Sequence, residues 1–177
     1  RLGLPFQSVD PQLDETPWME AGLAPRELVV QLASAKAAAV AGSCSQALVL
    51  GADQVASIDG NILGKPGSRS AAIEQLLLLQ GRSHELVTGL ALHDTRSGEV
   101  HSTLDVHRIT LRSLDRSAVE NYVDREDVLS CAGSYRLEGL GICLFESVEG
   151  LDYTGVIGLP ITQVTRRLLR LRMCPLA

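Results

Sequence analysis

The stretch "ALVLGADQVASIDGNILGKP", residues 47–66, decides the fold. Its apolar run over residues 47–52 predicts a buried strand that ends at Asp53. The turn signal Asp59-Gly60-Asn61 follows, so the chain should return as a hairpin toward Lys65. Because ligands of open α/β sheets bind at the carboxyl ends of strands, Asp53 is a candidate site residue.

The register of this hairpin decides whether Asp53 and Lys65 share a face of the sheet. If Ile58 pairs with Ile62 across a three-residue turn, the two side chains project from the same face. A two-residue turn at Asp59-Gly60 shifts the register and places them on opposite faces. Both registers fit the sequence, and a surface ion pair beside the hairpin is the alternative to a functional site.

Two further charged positions indicate an anion site. Lys36 lies seven residues after Val29 in a predicted helix, so its side chain should point into the apolar stripe. A buried ammonium needs an anion, which favours a phosphate-bearing ligand, unless Lys36 reaches solvent at the edge of the stripe. Asp14 and Glu15 stand side by side before a proline. They are either acids of a solvated loop or a source of a carboxylate for a divalent cation.

Helices and strands alternate through the rest of the chain, which predicts an α/β protein with a mixed sheet. Capping signals place the helices, and alternating apolar residues place the strands. Helices are predicted between Pro25 and Gly42, between Ser68 and Gly81, from Asp115 to Tyr122 and over residues 159–173. Strands are predicted over residues 84–94, 99–114 and 141–150.

The composition excludes several classes of protein. The 177 residues are 45% hydrophobic, which suits one globular domain. A net charge of −5 argues against a broad basic surface, so no nucleic-acid partner is expected. The apolar runs are too short to span a membrane, so no membrane partner is expected either. The four cysteines form no CxxC pair, which is typical of reduced thiols in a cytoplasmic protein.

Seven motifs resemble those of the Maf family of nucleotide pyrophosphatases, in order and in spacing. They are "LDET", "LASAKA", "VLGADQV", "GNILGKP", "VTGLAL", "CAGSYRLEGLGI" and "GVIGLPI". The resemblance implies an elongated mixed α/β fold like that of inosine-triphosphate pyrophosphatase, with two lobes and a central cleft. It implies hydrolysis of a nucleoside triphosphate to the monophosphate and pyrophosphate with a divalent cation, Mg²⁺ or Mn²⁺. It leaves open whether the chain forms a homodimer.

The resemblance also implies catalytic roles for four charged residues. Asp53 would be the proton acceptor that activates the attacking water. Glu15 and Asp53 would hold the cation. Lys36 and Lys65 would neutralise the phosphates as charge moves onto the pyrophosphate leaving group.

Two residues match the substrate-specificity positions of the family branch that acts on 7-methyl-GTP. Gln54 follows Asp53, where the branch acting on dTTP and UTP usually has threonine. The carboxylate of Glu138 could accept hydrogen bonds from the guanine edge, and N7-methylation makes that base cationic. Trp18 and Tyr135 are expected to be packing residues, with stacking on the base as the alternative.

The start of the chain departs from the family pattern. Family members open with a strand and a Ser-x-Ser-Pro-x-Arg-Arg phosphate loop, whereas "RLGLPF" resembles the end of a helix at Arg1-Leu2-Gly3. We therefore expect one domain over residues 1–177 that is N-terminally incomplete. A dTTP or UTP pyrophosphatase of the same family is one alternative. A non-catalytic nucleotide-binding or septum-associated protein is another.

Overall fold

Five strands form an antiparallel sheet in the computed structural model, which describes residues 2–176. The strands are β1 (Leu48–Ile58), β2 (Asn61–Leu63), β3 (Ser83–Asp94), β4 (Glu99–Leu111) and β5 (Phe145–Glu149). They lie in the order β2-β1-β3-β4-β5 across the sheet. The helices are α1 (Thr16–Glu20), α2 (Pro25–Ala41), α3 (Arg69–Leu79), α4 (Arg116–Val123), α5 (Tyr153–Val156) and α6 (Ile161–Arg170).

The α/β class predicted from the sequence is confirmed, but the sheet differs in one respect. Every strand pair among the described residues is antiparallel, whereas the sequence predicts a mixture with parallel pairs. Short turns join β1 to β2 and β3 to β4, and turns of this length connect antiparallel neighbours.

β1 is longer than its apolar run predicts. The predicted strand end at Asp53 is wrong, because the ladder with β3 runs from the pair Leu48 and Asp94 to the pair Ser57 and Glu85. Residues 55–58 are buried. A carboxylate is tolerated in mid-strand here because the ammonium group of a helix residue neutralises it. The rule that places ligands at the carboxyl ends of parallel strands therefore does not apply to this site.

The hairpin between β1 and β2 has the two-residue turn. Ile58 pairs with Asn61, which leaves Asp59 and Gly60 as the turn residues, with φ of 52° and 79°. Positive φ at both positions is what a type I′ turn requires. The sequence allowed two registers for this hairpin. The observed register is the one that would place the side chains of Asp53 and Lys65 on opposite faces of the sheet. However, β2 ends at Leu63, so the pleat no longer dictates where Lys65 points.

Helix α2 covers one face of the sheet at close range. Its Leu28, Val29 and Leu32 form a buried cluster with Val55 of β1 and Val87 of β3. The opposite face carries the larger core, to which α3, α4 and the segment around Tyr135 contribute. Both faces of the central strands are therefore buried.

The predicted helix caps are confirmed, and one predicted strand is partly wrong. Ser68 accepts a hydrogen bond from Ala71 N, and Asp115 accepts one from Ala118 N, as N-caps do. The segment "GICLFESVEG" is extended only from Phe145 onward, because Leu140–Leu144 forms a 3₁₀ turn. Gly141 lies so close to the carbonyl of residue 136 that a side chain would not fit, and the chain folds back there.

The sequence predictions did not include α1 and α5. The predicted helix end at Arg1-Leu2-Gly3 includes Arg1, which lies outside the described residues. Gly3 has a φ of +69°, a conformation common at helix C-termini. None of the helices described in residues 2–176 has both the length and the apolar character needed to cross a membrane.

Candidate active site

A cavity of about 320 Å³ lies between β1 and the segments 130–138 and 156–158. This volume falls in the usual range for small-molecule sites. Four of the six residues singled out in the sequence line it: Asp53, Gln54, Lys65 and Glu138. Of the remaining two, Lys36 contacts the carboxylate of Asp53, and Glu15 contacts Lys36.

Lys36 connects two carboxylates at the edge of the cavity. Its Nζ donates a hydrogen bond to Asp53 Oδ1 at 2.6 Å and lies 2.8 Å from Glu15 Oε1. The side chains of Lys36 and Asp53 are 20% and 10% exposed, so water screens this pair only weakly. Lys36 does point inward from α2, as its helical position predicts. Its ammonium group is engaged with carboxylates, whereas a phosphate was the anion expected from the sequence.

The environment of Asp53 makes it more basic than an ordinary aspartate. Burial raises its pKa, and the hydrogen bond from Lys36 and the charge of Lys65 oppose this rise without cancelling it. For Lys36, burial acts to lower the pKa, but the hydrogen bonds to Asp53 and Glu15 outweigh burial and raise it. Lys36 therefore keeps its charge while Asp53 gains affinity for a proton.

Lys65 lines the same cavity, although the hairpin register alone would place its side chain on the other face of the sheet from Asp53. The residue lies two positions beyond the end of β2 and lines the cavity together with Asp53. Its charge is close enough to act on the pKa of Asp53. Lys65 pairs with none of the carboxylates among the described residues, so its ammonium group is available to an anionic ligand.

The adjacent acids Asp14 and Glu15 take different roles. Asp14 accepts a hydrogen bond from Thr16 N at 3.0 Å, and its interactions with the side chain and then the backbone of Thr16 lower its pKa. Glu15 occupies the N-cap position of α1 and turns its carboxylate toward Lys36. The carboxylate that lies beside Lys36 is therefore the second of the pair.

Glu15 and Asp53 are the two carboxylates that could hold a divalent cation. Two carboxylates fit Mg²⁺, which typically takes one or two of them and adds substrate phosphates and water. Within residues 2–176, no group of three or more His, Cys, Asp and Glu side chains is placed to bind a metal. Two carboxylates alone would leave most coordination positions of such a cation to water and to a bound anion.

The Gln54 side chain is held rigidly at the cavity wall. Its Nε2 donates to Thr88 Oγ1 at 2.6 Å and to the Gly155 carbonyl at 2.7 Å. Both N–H groups are thereby used, which leaves the carbonyl oxygen as the acceptor that the amide offers to a ligand.

Glu138 lines the cavity beside a cation that the sequence analysis missed. Arg136 Nε lies 3.3 Å from Glu138 Oε1, and both side chains are about two-fifths exposed. Such a pair is weak and exchanges easily for a better partner. The closeness of the two residues in the sequence was the available signal, because residues 137–139 form a turn that keeps the two side chains near each other.

The two aromatic candidates are packing residues in this structure. Tyr135 is 5% exposed, packs edge-on against Phe145 and shares a 2.8 Å hydrogen bond with His84 Nε2. Trp18 packs against the cluster beneath α2. Only the buried ring of Tyr135 forms part of the cavity wall.

The fold and the cavity define an α/β protein whose ligand site combines a shielded basic carboxylate, that of Asp53, with the ammonium group of Lys65. The chain belongs to the Maf-like protein family, whose model matches residues 1–171. It is 45% identical over 169 residues to a 7-methyl-GTP pyrophosphatase of Pseudomonas aeruginosa, covering 96% of this chain and 87% of that protein. It is 43% identical over 164 residues to a 7-methyl-GTP pyrophosphatase of Vibrio vulnificus, covering 91% and 81% respectively.

Proposed function

We propose that this protein is a nucleoside triphosphate pyrophosphatase and that its substrate is 7-methyl-GTP. The observation that carries the proposal is the position of Asp53. Its carboxylate lines a cavity within the size range of small-molecule sites, has a raised pKa and lies beside two lysines. The two relatives named as 7-methyl-GTP pyrophosphatases support the choice of substrate.

Asp53 is the general base of the proposed reaction. It takes a proton from a water molecule, whose oxygen attacks the α-phosphorus of the nucleotide. The bond from the α-phosphorus to the bridging oxygen breaks, and pyrophosphate leaves with the electron pair. The products are the nucleoside monophosphate and pyrophosphate, and Asp53 later releases its proton to solvent.

The cationic side chains are assigned to different negatively charged groups. Lys36 orients Asp53, and its hydrogen bond and charge favour the ionised form of that carboxyl group despite the burial. Lys65 and Arg136 line the cavity, and we assign them to the triphosphate, where they would stabilise charge on the departing pyrophosphate. Glu15 and Asp53 would hold Mg²⁺ or Mn²⁺, and such a cation supplies charge neutralisation and acidifies bound water.

Base recognition is assigned to Gln54 and Glu138. The Gln54 carbonyl oxygen can accept a hydrogen bond from the ligand. Glu138 can exchange its weak contact with Arg136 for the N1–H and amino group of the guanine edge. A base that is cationic through N7-methylation strengthens this contact relative to GTP.

We further propose a cytoplasmic location and no nucleic-acid partner. Four free cysteines and a net charge of −5 support these assignments. The homodimer stays a prediction from the family resemblance.

The test is competition kinetics with 7-methyl-GTP, GTP, dTTP and UTP in the presence of Mg²⁺ or Mn²⁺. We expect 7-methyl-GTP to be preferred by about ten- to a hundredfold in kcat/KM, the usual worth of a hydrogen bond to a charged group. Glu138→Ala should lose most of this preference. Glu146→Ala is the matched control, because Glu146 pairs with Arg112 and does not line the cavity. Equal rates on dTTP and 7-methyl-GTP, or a preference unchanged in Glu138→Ala, would overturn the substrate assignment.

A further inference from the structure

Gly155 connects the cavity wall to a polar pair buried behind it. Its carbonyl accepts the hydrogen bond from Gln54 Nε2, and the next three residues line the cavity. Asp152 fixes the two ends of this segment, since its carboxylate accepts hydrogen bonds from Thr154 N and from Thr162 N. The position of Gly155 therefore sets the position of the Gln54 amide.

The pair behind Gly155 consists of Asp105 and His107 on β4. Their side chains are 4% and 1% exposed, and His107 Nδ1 lies 3.0 Å from Asp105 Oδ2 without the alignment of a hydrogen bond. Gln163 of α6 donates to Asp105 Oδ1 at 3.0 Å. Burial raises the pKa of Asp105. Buried polar atoms cost stability when they make no hydrogen bond, and among the described residues Asp105 Oδ2 and both ring nitrogens of His107 make none.

Two glycines enclose the His107 ring. A Cβ at Gly150 would overlap the ring atoms Cδ2 and Nε2, and a Cβ at Gly155 would overlap Asp105 Oδ2 and lie 2.8 Å from His107 Cε1. The backbone at Gly155 thus rests directly on the pair. Neither Asp105 nor His107 is among the residues that line the cavity, so neither can touch a ligand there.

We propose that the buried Asp105–His107 pair is a positioning element that seats Gly155 and, through its carbonyl, holds the Gln54 amide in the orientation that reads the nucleotide base. Gln163 ties the pair to α6, so β4, α6 and the cavity wall form one rigid support. The inference rests on the proposed function in one respect only, namely that Gln54 contacts the base.

The first test reads the Gln54 side chain directly by NMR. The two side-chain N–H signals, assigned by their loss in Gln54→Ala, should be protected from exchange with water in the wild-type protein. Gly155→Ala and Asp105→Ala should each reduce this protection at least threefold. The double variant Gly155→Ala/Asp105→Ala should recover part of the protection, because removing the Asp105 carboxylate makes room for the new methyl group at position 155. Gly42→Ala is the control, since a Cβ at Gly42 meets nothing within 4 Å.

The second test measures discrimination between 7-methyl-GTP and GTP. Gly155→Ala and Asp105→Ala should lower this preference about three- to tenfold, the worth of one hydrogen bond, mainly through KM. Combining either change with Gln54→Ala should add little. Should Gly155→Ala not fold, Asp105→Ala and His107→Ala carry both tests.

The two tests separate the inference from the function on which it rests. A wild-type protein that hydrolyses none of the nucleotides overturns the proposed function, and the NMR result then decides the inference alone. Unchanged Gln54 protection in the single variants overturns the inference even if the enzyme is active. Losses of preference that add fully to that of Gln54→Ala overturn it as well, because the pair then acts by another route.

Discussion

Removing the ammonium group of Lys36 should raise the pKa of Asp53 and move the acidic limb of the pH–rate profile upward. In the structure, Lys36 Nζ donates to Asp53 Oδ1 at 2.6 Å and lies 2.8 Å from Glu15 Oε1. In Lys36→Met the Asp53 carboxylate loses this donor. The charge of Glu15 then faces Asp53 without a counterion, which acts in the same direction.

The size of the shift follows from the lost hydrogen bond. A hydrogen bond to a charged group contributes about 1.5–3 kcal/mol, and one pKa unit corresponds to about 1.36 kcal/mol. The Asp53 pKa should therefore rise by about one to two units above its already raised wild-type value. Because the base must be ionised to accept a proton, kcat/KM at acidic pH should fall by the corresponding factor.

The assay is kcat/KM for 7-methyl-GTP as a function of pH in wild type, Lys36→Met and Lys36→Arg. Lys36→Arg keeps the charge and should keep the limb near its wild-type position. Arg26→Met is the matched control on the same helix, because the pair of Arg26 with Glu85 is exposed. A limb that does not move in Lys36→Met would refute the reasoning. If that variant is too slow to assay, the titration of the Asp53 carboxyl carbon by NMR decides the question.

Three further changes test the chemistry and the fold. Asp53→Asn should lower kcat at least about a hundredfold with nucleotide binding retained, measured by turnover and calorimetry, and residual turnover above about a tenth would place the base elsewhere. Burial lowers the pKa of His84 to about 4 from 6.5, so its contribution to stability is complete above pH 6.5 and is lost as the pH falls toward 4. Urea unfolding should show a loss of about 3 kcal/mol that is absent in His84→Phe. Gly51→Ala should destabilise the fold by about 1–3 kcal/mol, because its Cβ would meet the backbone of α2, whereas Gly42→Ala should not.

Local signals in the sequence predicted most of the fold. The caps at Ser68 and Asp115 and the helix that begins at Pro25 depend on neighbouring residues only, so they are readable from a short window. The extent of β1 was not readable. In the sequence, a charged residue marks the end of an apolar run. Here the strand continues past Asp53, because the ammonium group of Lys36, 17 positions away in the chain, neutralises its carboxylate.

The residues of the candidate site also differ in whether the sequence could predict them. The family resemblance brought together residues whose convergence no local pattern could predict, such as Glu15, Lys36 and Asp53. It did not indicate the pair Asp105 and His107, whose proposed role depends on contact with Gly155 some fifty positions along the chain. A charged and a titratable residue at positions i and i+2 of a predicted strand were the only signal.

The close packing of α2 on the sheet explains how one carboxylate can be both rigid and basic. Asp53 is paired in the ladder with Gly89, and Gly51 precedes it on the same face of β1. A Cβ at Gly89 would overlap the carbonyl of Val29, so the helix backbone lies directly against the strands only because these positions lack side chains. The close contact between helix and sheet brings Lys36 Nζ to 2.6 Å from Asp53 Oδ1. It also excludes water from Asp53, and this burial raises the pKa of Asp53. Glycines inside two strands, which weaken a sheet by themselves, are therefore part of what makes Asp53 a candidate base.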